Sequence, residues 1–218
     1  MQCILFDVGH TLVKEKKEVS DYIKEAIRNI YGIEVSLPVN EYIGVPARQA
    51  IREILLKEGV EEGEINRKIS DCAEEMYYSY YNLAGHDKLV EIKGGRDSIE
   101  KLAKSGTFVG IATWEPERVA KFKLEKVGLS SRLYTGGWGN EGDNAAEIIK
   151  KAEERCKEIS NVDEFKLVSG SKYMIIGAKE LGIKAIGVES LFSEKELLEA
   201  GASAVMRNEI SAKEIERA

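Results

Sequence analysis

Short apolar runs alternate with segments of helical periodicity from residue 86 to the end of the chain. Five of these runs have the apolar character of strands and lie at residues 107–112, 132–134, 165–168, 184–188 and 203–206. The segments between them carry apolar residues at the spacing of amphipathic helices. Since parallel strands are joined by crossover helices, this alternation predicts an α/β fold with a parallel sheet between two helical layers.

A helical segment interrupts this pattern directly after the first strand, which we predict at residues 2–8. Three stretches of helical periodicity follow, at 18–31, between Pro46 and Gly59, and at 61–83, with no convincing strand among them. An insertion at this point lies above the C-terminal edge of the sheet. We therefore predict a core domain of residues 1–13 and 86–218, and an all-helical cap domain of residues 14–85.

The first strand delivers one carboxylate to its C-terminal end. The apolar run Cys3–Phe6 stops at Asp7, and a turn with Gly9 and His10 follows at once. In open α/β sheets, ligands and chemistry collect at the carboxyl ends of the strands. Asp7 is therefore the first candidate catalytic residue. The alternative is a buried strand that ends in an ordinary turn aspartate.

The composition limits the possible partners and compartments. A formal net charge of -6 disfavours a nucleic-acid-binding protein, which is usually basic. No apolar run approaches the ~18 residues of a membrane span, and the N-terminal run lacks the length and basic flank of a signal peptide. The three cysteines are scattered, which indicates a reducing, cytoplasmic setting. We expect a small-molecule ligand, no nucleic acid, no membrane, and a monomer or homodimer.

Three motifs along the chain together resemble the haloacid dehalogenase (HAD) superfamily. They are Phe6-Asp7-Val8-Gly9-His10-Thr11-Leu12, Ile111-Ala112-Thr113, and the segment from Gly177-Ala178 to Ile186-Gly187-Val188. The cap segment Ile43-Gly44-Val45-Pro46 with Arg48 is similar to that of phosphoglycolate-phosphatase-type members. The resemblance implies a Rossmann-like (HAD-like) three-layer core with an inserted helical cap. It also implies a phosphorylated small-molecule substrate and Mg²⁺ as cofactor.

The resemblance also assigns roles to individual residues. Asp7 would be the nucleophile, which splits the transfer into two easier steps, and also a Mg²⁺ ligand. Thr113 would bind the transferring group, the alternative being a hydroxyl that caps the next helix. Gly9 and Trp114 would lie against the substrate. Arg48 would clamp a substrate carboxylate, the alternative being an exposed helical arginine.

Four positions depart from the family's pattern. Gly9 stands where phosphatases carry an acid/base aspartate, Asn144 where a lysine is expected, and Gly170 and Met174 where acidic residues hold Mg²⁺. A missing general acid typically costs ~10²–10⁴-fold in rate. His10 is a candidate replacement because an imidazole titrates near neutral pH, the alternative being a turn histidine that points to solvent.

These departures leave three hypotheses for function. The first is a HAD-like hydrolase resembling phosphoglycolate-type phosphatases, with weak, altered or lost Mg²⁺-dependent activity. The second is a non-catalytic HAD-fold protein that binds a small anion or a protein partner. The third is a metal-free HAD hydrolase that uses Asp7 on a non-phosphate substrate. Lys172 lies in the altered metal loop, either as a positive charge beside Asp7 or as an exposed lysine.

Two further signals lie near the same edge. The run Gly137-Trp138-Gly139-Asn140-Glu141-Gly142 matches a dinucleotide fingerprint, but it lies in mid-chain rather than in the first βαβ unit. We therefore interpret it as a loop beside the site. Glu115 follows Trp114 and is either an acid/base group or a first-turn helical glutamate.

Overall fold

The structure is a computed structural model that describes residues 1–15, 21–83, 89–207 and 209–218. The predicted helix start at 18–20 and the predicted domain boundary at 85–86 lie outside these ranges. Within them, no helix has the length and apolar character needed to cross a membrane.

The described residues form eight strands and nine α-helices. The strands are β1 (Gln2–Phe6), β2 (Val13–Glu15), β3 (Leu89–Glu91), β4 (Phe108–Ala112), β5 (Gly136–Gly137), β6 (Glu164–Ser169), β7 (Lys184–Glu189) and β8 (Ala204–Arg207). The helices are α1 (Tyr22–Tyr31), α2 (Ala47–Lys57), α3 (Glu62–Leu83), α4 (Gly95–Lys104), α5 (Glu117–Lys126), α6 (Ala145–Ile159), α7 (Lys172–Glu180), α8 (Glu194–Ala200) and α9 (Ala212–Arg217).

The core is a parallel sheet with strand order β5-β4-β1-β6-β7-β8. Strand β1 is central, and its Leu5 pairs with Gly110 on one side and Leu167 on the other. The chain crosses from β1 to neighbours on both sides, which makes the end of β1 the topological switch point of the sheet. The prediction of a three-layer α/β core is confirmed, and Asp7 lies directly after β1 at this switch point.

Side chains of β1 alternate between the two faces of the sheet, as the period of a strand requires. Ile4 and Phe6 belong to a buried cluster that includes residues of α4, α5 and α9, whereas Cys3 and Leu5 belong to one that includes residues of α6, α7 and α8. Both faces of β1 are therefore covered, which explains its continuous apolar sequence.

Helices α1, α2 and α3 build a separate apolar cluster that also contains Val119 of α5. Helix α1 ends at Gly32, which takes the left-handed conformation that glycine tolerates best. The antiparallel pair β2–β3 closes the base of the helical segment, with Glu15 opposite Leu89. The prediction that residues 14–85 contain no strand is therefore wrong at Lys14 and Glu15. The domain boundaries themselves stay a prediction.

One predicted strand lies elsewhere. Residues 132–134 are not a strand, and β5 consists instead of Gly136 and Gly137. A β-carbon on Gly136 would overlap the carbonyl of Ile111, and one on Gly137 the carbonyl of Ile148. Close backbone approach thus requires glycine here, and glycine carries no strand signal in a sequence.

Candidate active site

The Asp7 carboxylate is fully buried and held by hydroxyl groups of two neighbouring strand ends. Thr113, just after β4, donates a hydrogen bond of 2.7 Å to Oδ1, and Ser169, at the end of β6, donates one of 2.7 Å to Oδ2. The backbone amide of Val8 also donates to Oδ1, at 2.8 Å. Thr113 therefore contacts Asp7 itself, and sequence analysis did not identify the partner Ser169.

Burial dominates the protonation of Asp7. Desolvation raises the pKa of Asp7 to about 7, while the hydrogen bonds from Ser169 and Thr113 oppose the rise and the nearby Glu115 carboxylate adds to it. A carboxyl group normally ionised at neutral pH is therefore half protonated there. Shifts of this kind occur at functional sites, although structural clusters also produce them.

The segment after β6 has no room for a carboxylate at Gly170 and carries none at Met174. A β-carbon on Gly170 would overlap the carbonyl oxygen of His10, and the Gly170 amide donates to Thr11 Oγ1 at 2.7 Å. Met174 is fully buried, and its thioether is a poor ligand for Mg²⁺. Among the described residues, no group of three or more His, Cys, Asp or Glu side chains is arranged to hold a metal ion. These residues do not fit a Mg²⁺ site.

Backbone contacts dock the helical segment onto this edge of the sheet. The Ala47 amide, at the start of α2, donates to the Trp114 carbonyl at 3.0 Å, and Ser171 Oγ donates to the Gly44 carbonyl at 2.6 Å. The neighbouring amide of Arg48 donates to the Gly139 carbonyl at 3.3 Å. The helical segment therefore lies directly over the edge that carries Asp7.

Two side chains that follow the end of β4 fill the space beside Gly9. A β-carbon on residue 9 would lie 2.8 Å from Trp114 Cζ2 and 2.9 Å from both Cδ and Oε1 of Glu115. Real β-carbons essentially never approach this closely, so no side chain fits at position 9 unless these neighbours move. The Trp114 indole is also buried, and its Nε1 lies 3.5 Å from the Gly9 carbonyl oxygen.

A buried ion cluster adjoins Glu115. Lys123 of α5 donates to Glu115 Oε1 and lies 2.7 Å from Glu15 Oε1, and Tyr80 of α3 donates to Glu15 at 2.9 Å. Burial lowers the pKa of Lys123, but Glu115, Tyr80 and Glu15 outweigh it, so the net shift is upward and the ammonium stays charged. Burial raises the pKa of Glu115, and Lys123 opposes that rise. Sequence analysis missed Lys123 and Glu15.

Two other predicted site residues face different partners. Lys172 lies 3.5 Å from Glu196 and over the Phe192 ring, so its ammonium is paired with a carboxylate other than Asp7, and its side chain is half-buried rather than a fully exposed lysine. Arg48 donates to Asp143 at 2.6 Å and to Ser70 at 2.8 Å, which ties its guanidinium to protein groups.

The structure also defines the surroundings of His10 and Asn144. His10 has a left-handed backbone (φ 57°) and is only 6% exposed, so the alternative of a turn histidine that points to solvent is wrong. Asn144 caps α6, because its side chain accepts from the Glu147 amide at 2.9 Å.

The glycine-rich loop 137–142 packs against the same edge. The Gly139 amide donates to the Glu115 carbonyl at 2.7 Å, and a β-carbon on Gly139 would overlap the Trp114 carbonyl. Arg155 donates to Glu141 at 2.6 and 2.7 Å, which fixes the outer part of the loop. These glycines permit close backbone packing, which accounts for the fingerprint without a dinucleotide.

Known proteins match most of this chain. Residues 4–188 match the family model of haloacid dehalogenase-like hydrolases. A phosphoglycolate phosphatase from Psychrobacter arcticus is 24% identical over 122 residues, which are 54% of this chain and 52% of that protein. The chain thus matches about half the length of this curated relative.

Solved structures share the fold across the whole chain. A predicted phosphatase from Clostridium acetobutylicum has a TM-score of 0.70 at 19% identity, covering 99% of this chain and 96% of that one. A hydrolase from Pseudomonas syringae has a TM-score of 0.71 at 15% identity, covering 100% and 98%. Because the family match covers far more than half of the sequence, this chain belongs to the haloacid dehalogenase-like hydrolases.

Proposed function

We propose that this chain is a hydrolase whose nucleophile, Asp7, works without magnesium, and that its Mg²⁺-dependent phosphatase activity is weak or lost. The observation that carries the proposal is the environment of the Asp7 carboxylate, whose two oxygens accept hydrogen bonds from the neutral hydroxyls of Thr113 and Ser169. Gly170 and Met174 supply no carboxylate beside them. A carboxylate positioned in this way remains able to attack an electrophile.

Charge favours a substrate without a phosphate dianion. Glu115 and Glu15 share one ammonium group, that of Lys123, so two carboxyl groups face a single positive charge beside Asp7. Two like charges 4 Å apart repel by about 4 kcal/mol at an effective dielectric of ~20, which is roughly a thousandfold in binding. A neutral or monoanionic carbon electrophile, such as an alkyl halide, meets less of this repulsion than a phosphomonoester does.

A substrate panel with purified protein tests this proposal. The phosphomonoesters are p-nitrophenyl phosphate and 2-phosphoglycolate, the latter chosen because the curated relative is a phosphoglycolate phosphatase. The carbon electrophiles are 1-bromobutane and 2-chloropropionate, and each assay is run with Mg²⁺ and with EDTA. We expect halide release that EDTA does not affect and phosphate release close to background.

Two variants give the panel its controls. Asp7→Asn should abolish halide release, whereas Asp97→Asn, an exposed aspartate in the first turn of α4, should not change it. Strong Mg²⁺-dependent phosphate release that vanishes in Asp7→Asn would refute the proposal.

A second candidate is a non-catalytic HAD-fold binding protein. It is favoured by the docked helical segment, because the contacts of Ala47 with Trp114 and of Ser171 with Gly44 lie over a fully buried Asp7. If neither halide nor phosphate is released under any condition of the panel, this second candidate replaces the first.

A further inference from the structure

Glu115 places a carboxylate where the side chain of residue 9 would begin. Its Cδ and Oε1 both lie 2.9 Å from the position of a β-carbon on Gly9. The residue is connected to the nucleophile through one intermediate group, since the Glu115 amide donates to Thr113 Oγ1 at 3.3 Å and Thr113 Oγ1 donates to Asp7. The carboxylate therefore enters the site from the end of β4 rather than from the turn after β1.

The two oxygens of Glu115 differ in their partners. Oε1 accepts from Lys123, whereas Oε2 is buried and has no hydrogen-bond partner among the residues that the structure describes. The side chain as a whole is fully buried. A buried, unpartnered carboxylate oxygen is costly, and such atoms in folded proteins call for a functional explanation or a bound water.

We infer that Glu115 is the general base of this site and takes a proton from the water that hydrolyses the covalent Asp7 intermediate. This inference rests on the proposed function. The absence of a side chain at Gly9 then provides space for the Glu115 carboxylate, and it is not a sign that a catalytic group has been lost. Burial raises the pKa of Glu115, which makes its carboxylate a stronger base, and the Lys123 ammonium opposes that rise and so favours the ionised form.

The reaction balances for an alkyl halide. Asp7 attacks carbon, a carbon–oxygen bond forms, and the halide leaves with the electron pair of the carbon–halogen bond. Glu115 then accepts a proton from water while the water oxygen bonds to Cγ of Asp7. The ester bond between Cγ and the alkoxy oxygen breaks, and the alkoxide takes the proton from Glu115. The products are an alcohol, a halide ion and a proton, and the Asp7 carboxylate is regenerated.

The charged and titratable groups around Glu115 come from both the core and the helical segment. They are Asp7, His10, Glu15, Tyr22, Tyr80 and Lys123. Lys123 is a positioning residue in this scheme, because it contacts Glu115 and not the reacting atoms.

The decisive experiment follows Glu115→Gln with 1-bromobutane and 2-chloropropionate in EDTA. We expect kcat to fall roughly 10²–10⁴-fold and KM to fall with it, so that kcat/KM changes little, because only the second step loses its general base. The first step does not need Glu115, so bromide or chloride should appear as a burst of one equivalent. Mass spectrometry should then find the alkyl group on the peptide that carries Asp7. A merely structural role for Glu115 would give neither the burst nor the adduct.

Two further variants keep the inference falsifiable. In Glu115→Ala, added formate should restore part of the turnover by supplying a carboxylate in the space left by the side chain. The matched control is Glu117→Gln, which changes a nearby, half-buried glutamate at the start of α5 that is paired with Lys121 and should keep wild-type kinetics.

The outcomes separate this inference from the proposed function. Wild-type turnover that depends on Asp7 but persists unchanged in Glu115→Gln overturns the role of Glu115 and leaves the nucleophile in place. A slow Glu115→Gln enzyme without burst or adduct also overturns it. If the wild-type protein shows no turnover, both the proposed function and the role of Glu115 are overturned.

Discussion

Replacing Asp7 with asparagine should remove a pH dependence from the stability of the fold. The pKa of Asp7 is about 7 in the folded protein against 3.8 for an unperturbed aspartate. Between these two values the folded state holds a proton that the unfolded state has released. The free energy of unfolding therefore falls as the pH rises through this window, and the loss levels off above pH 7.

The magnitude follows from the two pKa values. A tenfold difference in proton affinity between the folded and unfolded states corresponds to about 1.4 kcal/mol. The ionisation of Asp7 therefore lowers the free energy of unfolding by about 1.7 kcal/mol at pH 5 and by about 4.3 kcal/mol at pH 8. Asparagine resembles the protonated form and does not titrate. The hydrogen-bond network can accept it, because Ser169 Oγ lies 3.4 Å from the Ser171 carbonyl and can donate there while it accepts from the new amide.

Urea unfolding at pH 5 and pH 8 measures this effect, with the buried Trp114 and Trp138 as fluorescent probes. Between pH 5 and pH 8, we expect the free energy of unfolding to fall by about 2.6 kcal/mol more in the wild-type protein than in Asp7→Asn. The difference between variants isolates Asp7, since other titrating groups contribute to both. Equal pH dependence in the two proteins would refute the argument that burial controls Asp7.

Three other predictions concern packing, the ion cluster and the metal. Gly170→Ala should lower the free energy of unfolding by about 1–3 kcal/mol, because the new methyl group overlaps the His10 carbonyl; an unchanged urea midpoint would contradict the loop packing. Lys123→Met should cost about 3–5 kcal/mol by leaving Glu115 unpaired, against at most about 0.5 kcal/mol for the exposed Lys121→Met; similar losses would contradict a buried cluster. Mg²⁺ should produce no binding heat in calorimetry and no rise in Tm, and either signal would contradict the misfit of this site to the metal.

The sheet and the edge that carries Asp7 were predictable because their signals are local. Strand β1 is a mostly apolar run of residues, and Asp7 follows it directly in a short motif. The strand pair β2–β3 was missed because it joins residues on either side of the helical segment, and its three-residue strands are too short to show a period.

The ion cluster was missed for a different reason. Glu15 and Lys123 are more than one hundred residues apart, so no spacing in the sequence connects them. One signal was available, because Lys123 lies on the buried stripe of α5 with Val119, Ala120 and Leu124. A lysine at an apolar position of an amphipathic helix predicts a buried partner of opposite charge.

The departures from the family's motif at Gly9 and Gly170 are not independent losses, because each is matched by a group that occupies the vacated space. The Glu115 carboxylate stands where a side chain on residue 9 would begin, and the His10 carbonyl stands where one on Gly170 would begin. A side chain at residue 9 fits only if Trp114 and Glu115 move, and one at residue 170 fits only if the backbone at His10 moves. Restoring single aspartates at Gly9 or Gly170 would therefore add strain before it adds chemistry. At Gly170 the occupant is the His10 backbone, which no substitution removes, whereas at Gly9 the occupants are side chains. An exchange that shortens Glu115 and restores the carboxylate at residue 9 together can therefore distinguish a lost site from one rebuilt around Glu115.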